Sequence, residues 1–172
     1  ATPDAVFKRW TTLKPTLFFG APTGYAGMLA SPSLPTKDEV ALRMTSSAGE
    51  ALPAEIGKSF TDHFGIEIID GIGSTEMLHI YLSNSPGNVT YGTTGIPVPG
   101  YAIELRDDAG LPVADGEQGD LYVQGPSSAL MYWNNRIKTN ETFQGSWTKS
   151  GDKYIHNTDG TYTYAGRSDD MI

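Results

Sequence analysis

The chain contains no cysteine, which excludes a disulfide framework, a thiol nucleophile and a cysteine-based zinc site. That fits a reducing compartment such as the cytoplasm. Three histidines are spread too widely along the 172 residues to suggest a metal site. Basic residues are scarce: 12 Lys and Arg stand against 20 Asp and Glu, a formal charge of −8. A nucleic-acid partner, which needs a basic face, is therefore not expected, although a local positive pocket is compatible with this balance. No apolar run approaches the ~18–20 residues of a membrane span. The opening Ala1-Thr-Pro-Asp-Ala-Val6 carries no signal-peptide apolar core. The length suits one domain with a sizeable core, or two small lobes. The chain begins without Met and stops at Arg167-Ser-Asp-Asp-Met-Ile172. Both edges read as cuts in a longer protein.

What is present falls into two patterns. Thr2-Pro-Asp opens a helix, with Thr2 placed to cap, Pro3 at the first helical position and Asp4 at the positive end. Strand–loop–helix then repeats three times. Thr16–Phe19 is a short strand leaving through Gly20–Gly24, and Tyr25 to Leu29 restart a helix. Ala41–Thr45 is a strand leaving through Ser46–Pro53, and Pro53 to His63 is an amphipathic helix with Gly65 as a left-handed cap. Ile66–Ile69 is the third strand. Such repetition predicts a parallel sheet with flanking helices and a ligand crevice beyond the strands' carboxyl ends. The three turns around 21–25, 47–51 and 71–76 would line it. From about Ser83 the pattern changes to period-2 segments, Tyr101–Leu105 and Gly119–Val123, with one helical stretch near Asn134–Phe143 and a hairpin closed by Asn157–Gly160. The expected class is α/β, a parallel sheet with flanking helices followed by an antiparallel β-barrel-like part. The boundary is expected near residue 95, dividing 1–94 from 95–172.

The central stretch is Asp70-Gly-Ile-Gly-Ser-Thr-Glu-Met-Leu-His-Ile80. An apolar strand ending in glycines and opening a helix is a physical setting for a phosphate, because backbone approaches the anion and the first helical amides point at it. Thr75 adds a hydroxyl donor. Glu76 adds a carboxylate suited to a hydrated Mg²⁺ that bridges to phosphate oxygens. On a helix His79 would share the face of Glu76. The ordinary alternative is a strand–loop–helix junction in which Ser74 and Thr75 only cap.

Five motifs carry a resemblance: Ser47-Ala-Gly-Glu-Ala-Leu-Pro53, Gly73-Ser-Thr-Glu76, Gly119-Asp-Leu-Tyr-Val-Gln-Gly125, Ser150-Gly-Asp152 and Gly166-Arg-Ser-Asp169. In this order they resemble the adenylate-forming acyl-CoA ligase superfamily, and the chain looks like the later half of that family's large domain. Within it, Phe19-Gly-Ala-Pro-Thr23, Asp70 to Ile80, Met131-Tyr-Trp-Asn-Asn-Arg136 and Tyr164-Ala-Gly-Arg-Ser-Asp-Asp-Met171 are most similar to benzoate–CoA and related aryl-CoA ligases.

The resemblance implies an ATP- and Mg²⁺-dependent ligase that makes an acyl-adenylate from an aromatic carboxylate and passes the acyl group to CoA. It implies that Thr75 bonds the α-phosphate and Glu76 holds Mg²⁺. Gly49, Glu50 and Ala51 would lie against adenine, with Asp70, Gly71, Ile72 and Gly73 completing the nucleotide site. Ile72 stands where the superfamily commonly has an aromatic. Asp152 would accept from the ribose hydroxyls, Ser150 replacing the family's usual Thr two residues earlier, and Arg167 would contact ribose or phosphate. Their ordinary alternatives are a tight turn, a turn aspartate and a surface ion pair. Gly24, Tyr25, Ala48, Gly71, Gly73, His79 and Ile80 would wall a flat acyl slot. For His79 the alternative is a ring satisfied by a backbone carbonyl. Asp169 matches the hinge to a C-terminal domain of the same protein. The oligomeric state stays open.

Two other readings remain: a ligase for a hydroxybenzoate, aminobenzoate or cyclohexanecarboxylate, or a non-catalytic nucleotide- or aryl-acid-binding module. A peptide-synthetase adenylation domain is disfavoured, since no acidic residue is placed to hold an α-amino group. The 172 residues contain neither the family's phosphate loop with its lysine nor its small-domain lysine. Purified alone, they are predicted to form no benzoyl-CoA from benzoate, ATP and CoA. Robust thioester formation in a thiol-consumption assay would contradict this.

Overall fold

A computed structural model describes residues 2–168; the expected hinge Asp169 lies outside them. The described residues divide into two compact units, 2–71 with 84–92, and 72–83 with 93–168. This differs from the single boundary near residue 95. The chain crosses inside its third strand, returns for a short loop, and crosses again. Among the described residues no helix is long and apolar enough to cross a membrane.

The first unit contains α1 (Pro3–Leu13), β1 (Leu17–Gly20), α2 (Pro22–Leu29), β2 (Met44–Ser47), α3 (Ala54–Phe64) and the start of β3 (Ile68–Gly73). Helix α1 starts at Pro3, but Thr2 makes no side-chain capping bond. It buries Phe7 and Trp10, and α3 buries Phe60 and Phe64, one turn apart on one face. Gly65, at φ +70°, ends α3 in the left-handed region as expected. Rings interlock edge-on beneath the sheet: Trp10 against Phe18 at 4.9 Å and Tyr25 against Phe60 at 5.2 Å.

Strands β1, β2 and β3 are parallel, and the register places Gly20 beside Ser47 and Ser47 beside Asp70. Residues 84–92 belong with this unit because of Tyr91. Its ring lies over Gly57, where an added Cβ would meet the ring at 2.3 Å. Its hydroxyl bonds Thr61 Oγ1 at 2.7 Å and accepts from the Ile68 amide at 3.0 Å.

The second unit is antiparallel. Strands β4 (Ile80–Ser83) and β5 (Ile96–Pro97) form a short pair. A four-stranded curl runs in the order β10 (Tyr162–Arg167), β9 (Trp147–His156), β7 (Gln118–Gln124), β6 (Ala102–Arg106), with β8 (Phe143–Gln144) added on β9 after helix α4 (Arg136–Thr142). Its core gathers Met77, Tyr81, Leu82, Leu121, Val123 and Tyr154. Three of these come from 77–82, which is why that segment leaves the first unit.

Asp70, at the carboxyl end of the parallel strands, is buried. Burial pushes its carboxyl up to about 7, and the Ser47 hydroxyl and Leu52 amide offset this only in part. The folded state therefore holds the proton that the unfolded chain releases near 3.8. Stability from the neutral acid is full below pH ~4 and falls as pH rises toward ~7. Asp70→Asn is predicted to flatten that fall. Urea midpoints at pH 5 and 7.5 should differ more in the wild type than in the variant; parallel midpoints would contradict the assignment.

Candidate functional site

Asp152 on β9 and Arg167 at the end of β10 are direct partners in the antiparallel register. Arg167 Nη1 donates to Asp152 Oδ1 at 3.3 Å. Glycines shape this pairing. The register shifts between Tyr164 and Gly166, a bulge that re-aims the strand end. Gly151 sits at φ +84°, and a Cβ there would touch the Arg167 guanidinium at 3.4 Å. Asp152 is buried, and burial pushes its carboxyl up; the Arg167 charge and the Ser150 hydroxyl counter this, while the Glu76 charge adds to it.

The strand end is anchored from below. Asp120 on β7 is buried and accepts from Ser168 Oγ at 2.6 Å. Lys149 Nζ lies 2.7 Å from Asp120 Oδ2, and Lys153 Nζ lies 3.2 Å from Oδ1. Burial alone would raise the Asp120 carboxyl, but Lys149, Ser168 and Lys153 together hold it below the usual range.

Glu76 stands on a single 3₁₀ turn, Thr75–Met77. The expected helix does not form. Leu78 adopts φ +72° and ψ −43°, and the His79 amide bonds the Met77 carbonyl at 2.9 Å. This is a γ-turn of the rare positive-φ kind, strained for a leucine. The chain then enters β4, because the adjacent buried pair Tyr81 and Leu82 suits a strand covered on both faces. The turn folds 79–80 back over Gly73, where a Cβ would lie 2.5 Å from the His79 carbonyl oxygen. The shared helical face of Glu76 and His79 is thereby corrected.

His79 spends both ring nitrogens within the protein. Nδ1 donates to the Ile80 carbonyl at 2.7 Å, and Nε2 meets Tyr101 Oη at 2.9 Å. The backbone-satisfied alternative describes its ring.

The Glu76 carboxylate accepts from the Tyr132 hydroxyl. Partial burial pushes Glu76 upward, but the Tyr132 bond and the Lys138 charge help hold it below its usual value. Thr75, Glu76, Asp152 and Arg167 line one hollow of about 660 Å³, together with Tyr132, Lys138 and Lys149. Carboxylates, hydroxyls and cations around one hollow suit a ligand that offers both hydroxyls and anionic oxygens.

The remaining expected residues divide. Gly49, Glu50, Ala51, Asp70 and Gly71 belong to the first unit, as do Gly24, Tyr25 and Ala48. Tyr25 is fully enclosed in that unit's core, its hydroxyl donating to the Ser46 carbonyl at 2.8 Å. Ile72, Gly73, His79 and Ile80 belong to the second unit, where Ile72 packs on the core. Sequence reasoning missed Tyr132, Lys138 and Lys149. Tyr132 lies inside the Met131–Arg136 motif, yet nothing local marks it as the partner of a residue 56 positions away.

The AMP-binding enzyme family model matches residues 1–133. The chain is 56% identical to benzoate–CoA ligase of Thauera aromatica over 172 residues, covering 99% of this chain and 33% of that protein. The crystal structure of a benzoate CoA ligase from Burkholderia xenovorans LB400 superposes with a TM-score of 0.97 at 64% identity, over 100% of this chain and 35% of the other. An anthranilate CoA ligase in complex with anthranoyl-AMP gives 0.94 at 44% identity, over 100% and 34%. The chain thus spans about a third of the length of the relatives it matches.

The close approach at Gly73 makes it intolerant of any side chain. Gly73→Ala is predicted to destabilise the second unit by about 1–3 kcal/mol through overpacking against backbone. Leu78→Gly, at an exposed strained position, is predicted to stabilise it by about 1 kcal/mol. Chemical denaturation reads both; an unaffected Gly73→Ala protein would contradict the packing account.

Proposed function

The chain belongs to the AMP-binding enzyme family, and we propose that it is part of an ATP-dependent acid–thiol ligase that activates benzoate and transfers the benzoyl group to CoA. The observation that carries this reading is the convergence of Thr75, Glu76, Asp152 and Arg167 on one hollow. The similarity to benzoate–CoA ligases and to an anthranilate CoA ligase supports an aromatic acid as substrate.

Two transfers make up the reaction. A carboxylate oxygen attacks the α-phosphorus of ATP, the bond to the β-phosphate breaks, and pyrophosphate leaves. The CoA thiolate then attacks the acyl carbon and AMP leaves. Little covalent work falls to the protein, so positioning and preorganised charge do most of it. Asp152, largely buried, accepts from the ribose hydroxyls, and Arg167 beside it donates to ribose or phosphate oxygens. Thr75 donates to the α-phosphate, whose charge builds as the carboxylate attacks. Gly49, Glu50 and Ala51 offer small-residue backbone to adenine, and Asp70, Gly71, Ile72 and Gly73 are the further residues proposed for the nucleotide. Gly24 and Ala48 of the first unit, and His79 and Ile80 of the second, are proposed for the acyl arm, whereas Tyr25, enclosed in its unit's core, presents no surface to a ligand. Asp169, outside the described residues, is proposed as the hinge to a C-terminal domain of the full-length protein, which works in the cytoplasm.

The residues present fit Mg²⁺. Among the described residues no group of three or more His, Cys, Asp or Glu forms a cage, and Mg²⁺ carried by ATP keeps its waters and needs only one or two carboxylates. Glu76, which lines the hollow and is held below its usual carboxylate range, would be that ligand. Bound there, the ion would neutralise charge on the phosphate oxygens.

A pyrophosphate-release screen of the full-length protein tests the reading. Benzoate is expected to lead hydroxybenzoates, aminobenzoate and cyclohexanecarboxylate, and preference for a fatty acid would overturn the aromatic assignment. In the same assay Glu76→Gln is predicted to slow adenylation about 10²-fold. Asp152→Asn is predicted to raise KM for ATP about tenfold or more, by loss of charge-assisted bonds. An unchanged first half-reaction in Glu76→Gln would remove the metal role.

A further inference from the structure

A carboxylate that must meet a metal–phosphate group has to be held still, and the turn that bears Glu76 does not do this by itself. It is one 3₁₀ turn long and ends in a strained γ-turn at Leu78. Its support comes from a segment 50 or more residues later in the chain. Ser127 Oγ donates to the Met77 carbonyl at 2.6 Å, and the Ala129 amide donates to the Glu76 carbonyl at 2.7 Å. The Tyr132 hydroxyl closes the grip on the carboxylate itself.

Tyr132 is in turn fixed from its other side. Its amide donates to Thr139 Oγ1 at 3.0 Å, and Thr139 Oγ1 donates to the Asn135 carbonyl at 2.7 Å. Asn135 caps α4 by accepting from the Lys138 amide at 3.1 Å. The Tyr132 ring packs on Phe143, the centroids 5.5 Å apart. Two contacts, one from a hydroxyl and one from a backbone amide, fix the turn, and a braced phenol fixes the acid.

We infer that Tyr132 is a positioning residue for Glu76: its hydroxyl holds one carboxylate oxygen so that Glu76 meets the metal of the metal–ATP complex in a single orientation. This rests on reading the hollow as the ATP site. Tyr132→Phe removes the hydroxyl and keeps the ring on Phe143, so the brace survives while the bond to Glu76 is lost. A merely structural tyrosine would affect every ligand of the hollow alike. A positioning tyrosine affects only the one that needs the carboxylate.

The test uses the full-length protein without any acid substrate. Mn²⁺ is titrated in the presence of ATP by electron paramagnetic resonance, and metal-free AMP is titrated by calorimetry. Tyr132→Phe is expected to weaken Mn²⁺ binding about three- to tenfold, the scale of a hydrogen bond to a charged group, with AMP affinity unchanged. Thr139→Val, which loosens the Tyr132 amide but keeps the phenol, is expected to shift Mn²⁺ affinity the same way by less, and it carries the comparison if Tyr132→Phe does not fold. Unchanged Mn²⁺ affinity in the folded variants, beside a wild type that binds, would overturn the role of Tyr132 alone. Equal losses of Mn²⁺ and AMP would also overturn it. A wild type that binds no Mn²⁺ with ATP would overturn it together with the ATP-site reading.

Discussion

The pairing of Asp152 with Arg167 across β9 and β10 is the contact on which the rest of the site depends. A carboxylate this deeply buried is costly unless a cation stands beside it. The bulge at Gly166 and the positive φ of Gly151 let the guanidinium reach it. Because the Arg167 side chain is half exposed while that of Asp152 is buried, the pair presents one face to the hollow. In the proposed function, hydroxyls of a bound sugar share the acid with the arginine. The Asp120 cluster below, with Lys149, Lys153 and Ser168, fixes the strand end that delivers Arg167. Sheet geometry, glycine freedom and buried charge thus act on the same few atoms.

The opposite wall is built on another principle. Glu76 has no regular element beneath it, only a tight reversal that Gly73 permits and Leu78 strains to complete. Strain of this kind persists where neighbours over-determine it. Here the neighbours are residues 127–132, which bond the backbone of the turn and the carboxylate together. One side of the hollow is rigid because it belongs to a sheet, and the other because a distant loop holds it.

Much of this was readable from residues alone, and the limits are physical. Apolar runs and glycine punctuation located α1, α3, β1, β6, β7 and the final hairpin, since each is decided by local periodicity and turn chemistry. The parallel-then-antiparallel order followed from them. The helix expected after Glu76 failed because Met77, Leu78, His79 and Ile80 fit either period, and tertiary burial of Tyr81 and Leu82 decided for strand. The return of 84–92 to the first unit depends on the contact of Tyr91 with Gly57 and Ile68, far away in sequence. Motif order singled out Asp152 and Glu76, which the fold brings to one hollow. Tyr132 was not, because its partner is fixed only by folding.

The central claim is that Thr75, Asp152 and Arg167 cradle an adenosine phosphate ester. The most direct measurement is a crystal structure of the full-length protein with a non-hydrolysable benzoyl-adenylate analogue. The account predicts ribose hydroxyls within hydrogen-bond distance of Asp152, and Thr75 against the group that replaces the phosphate. An analogue bound elsewhere, with the Asp152–Arg167 pair untouched by ligand, would contradict it.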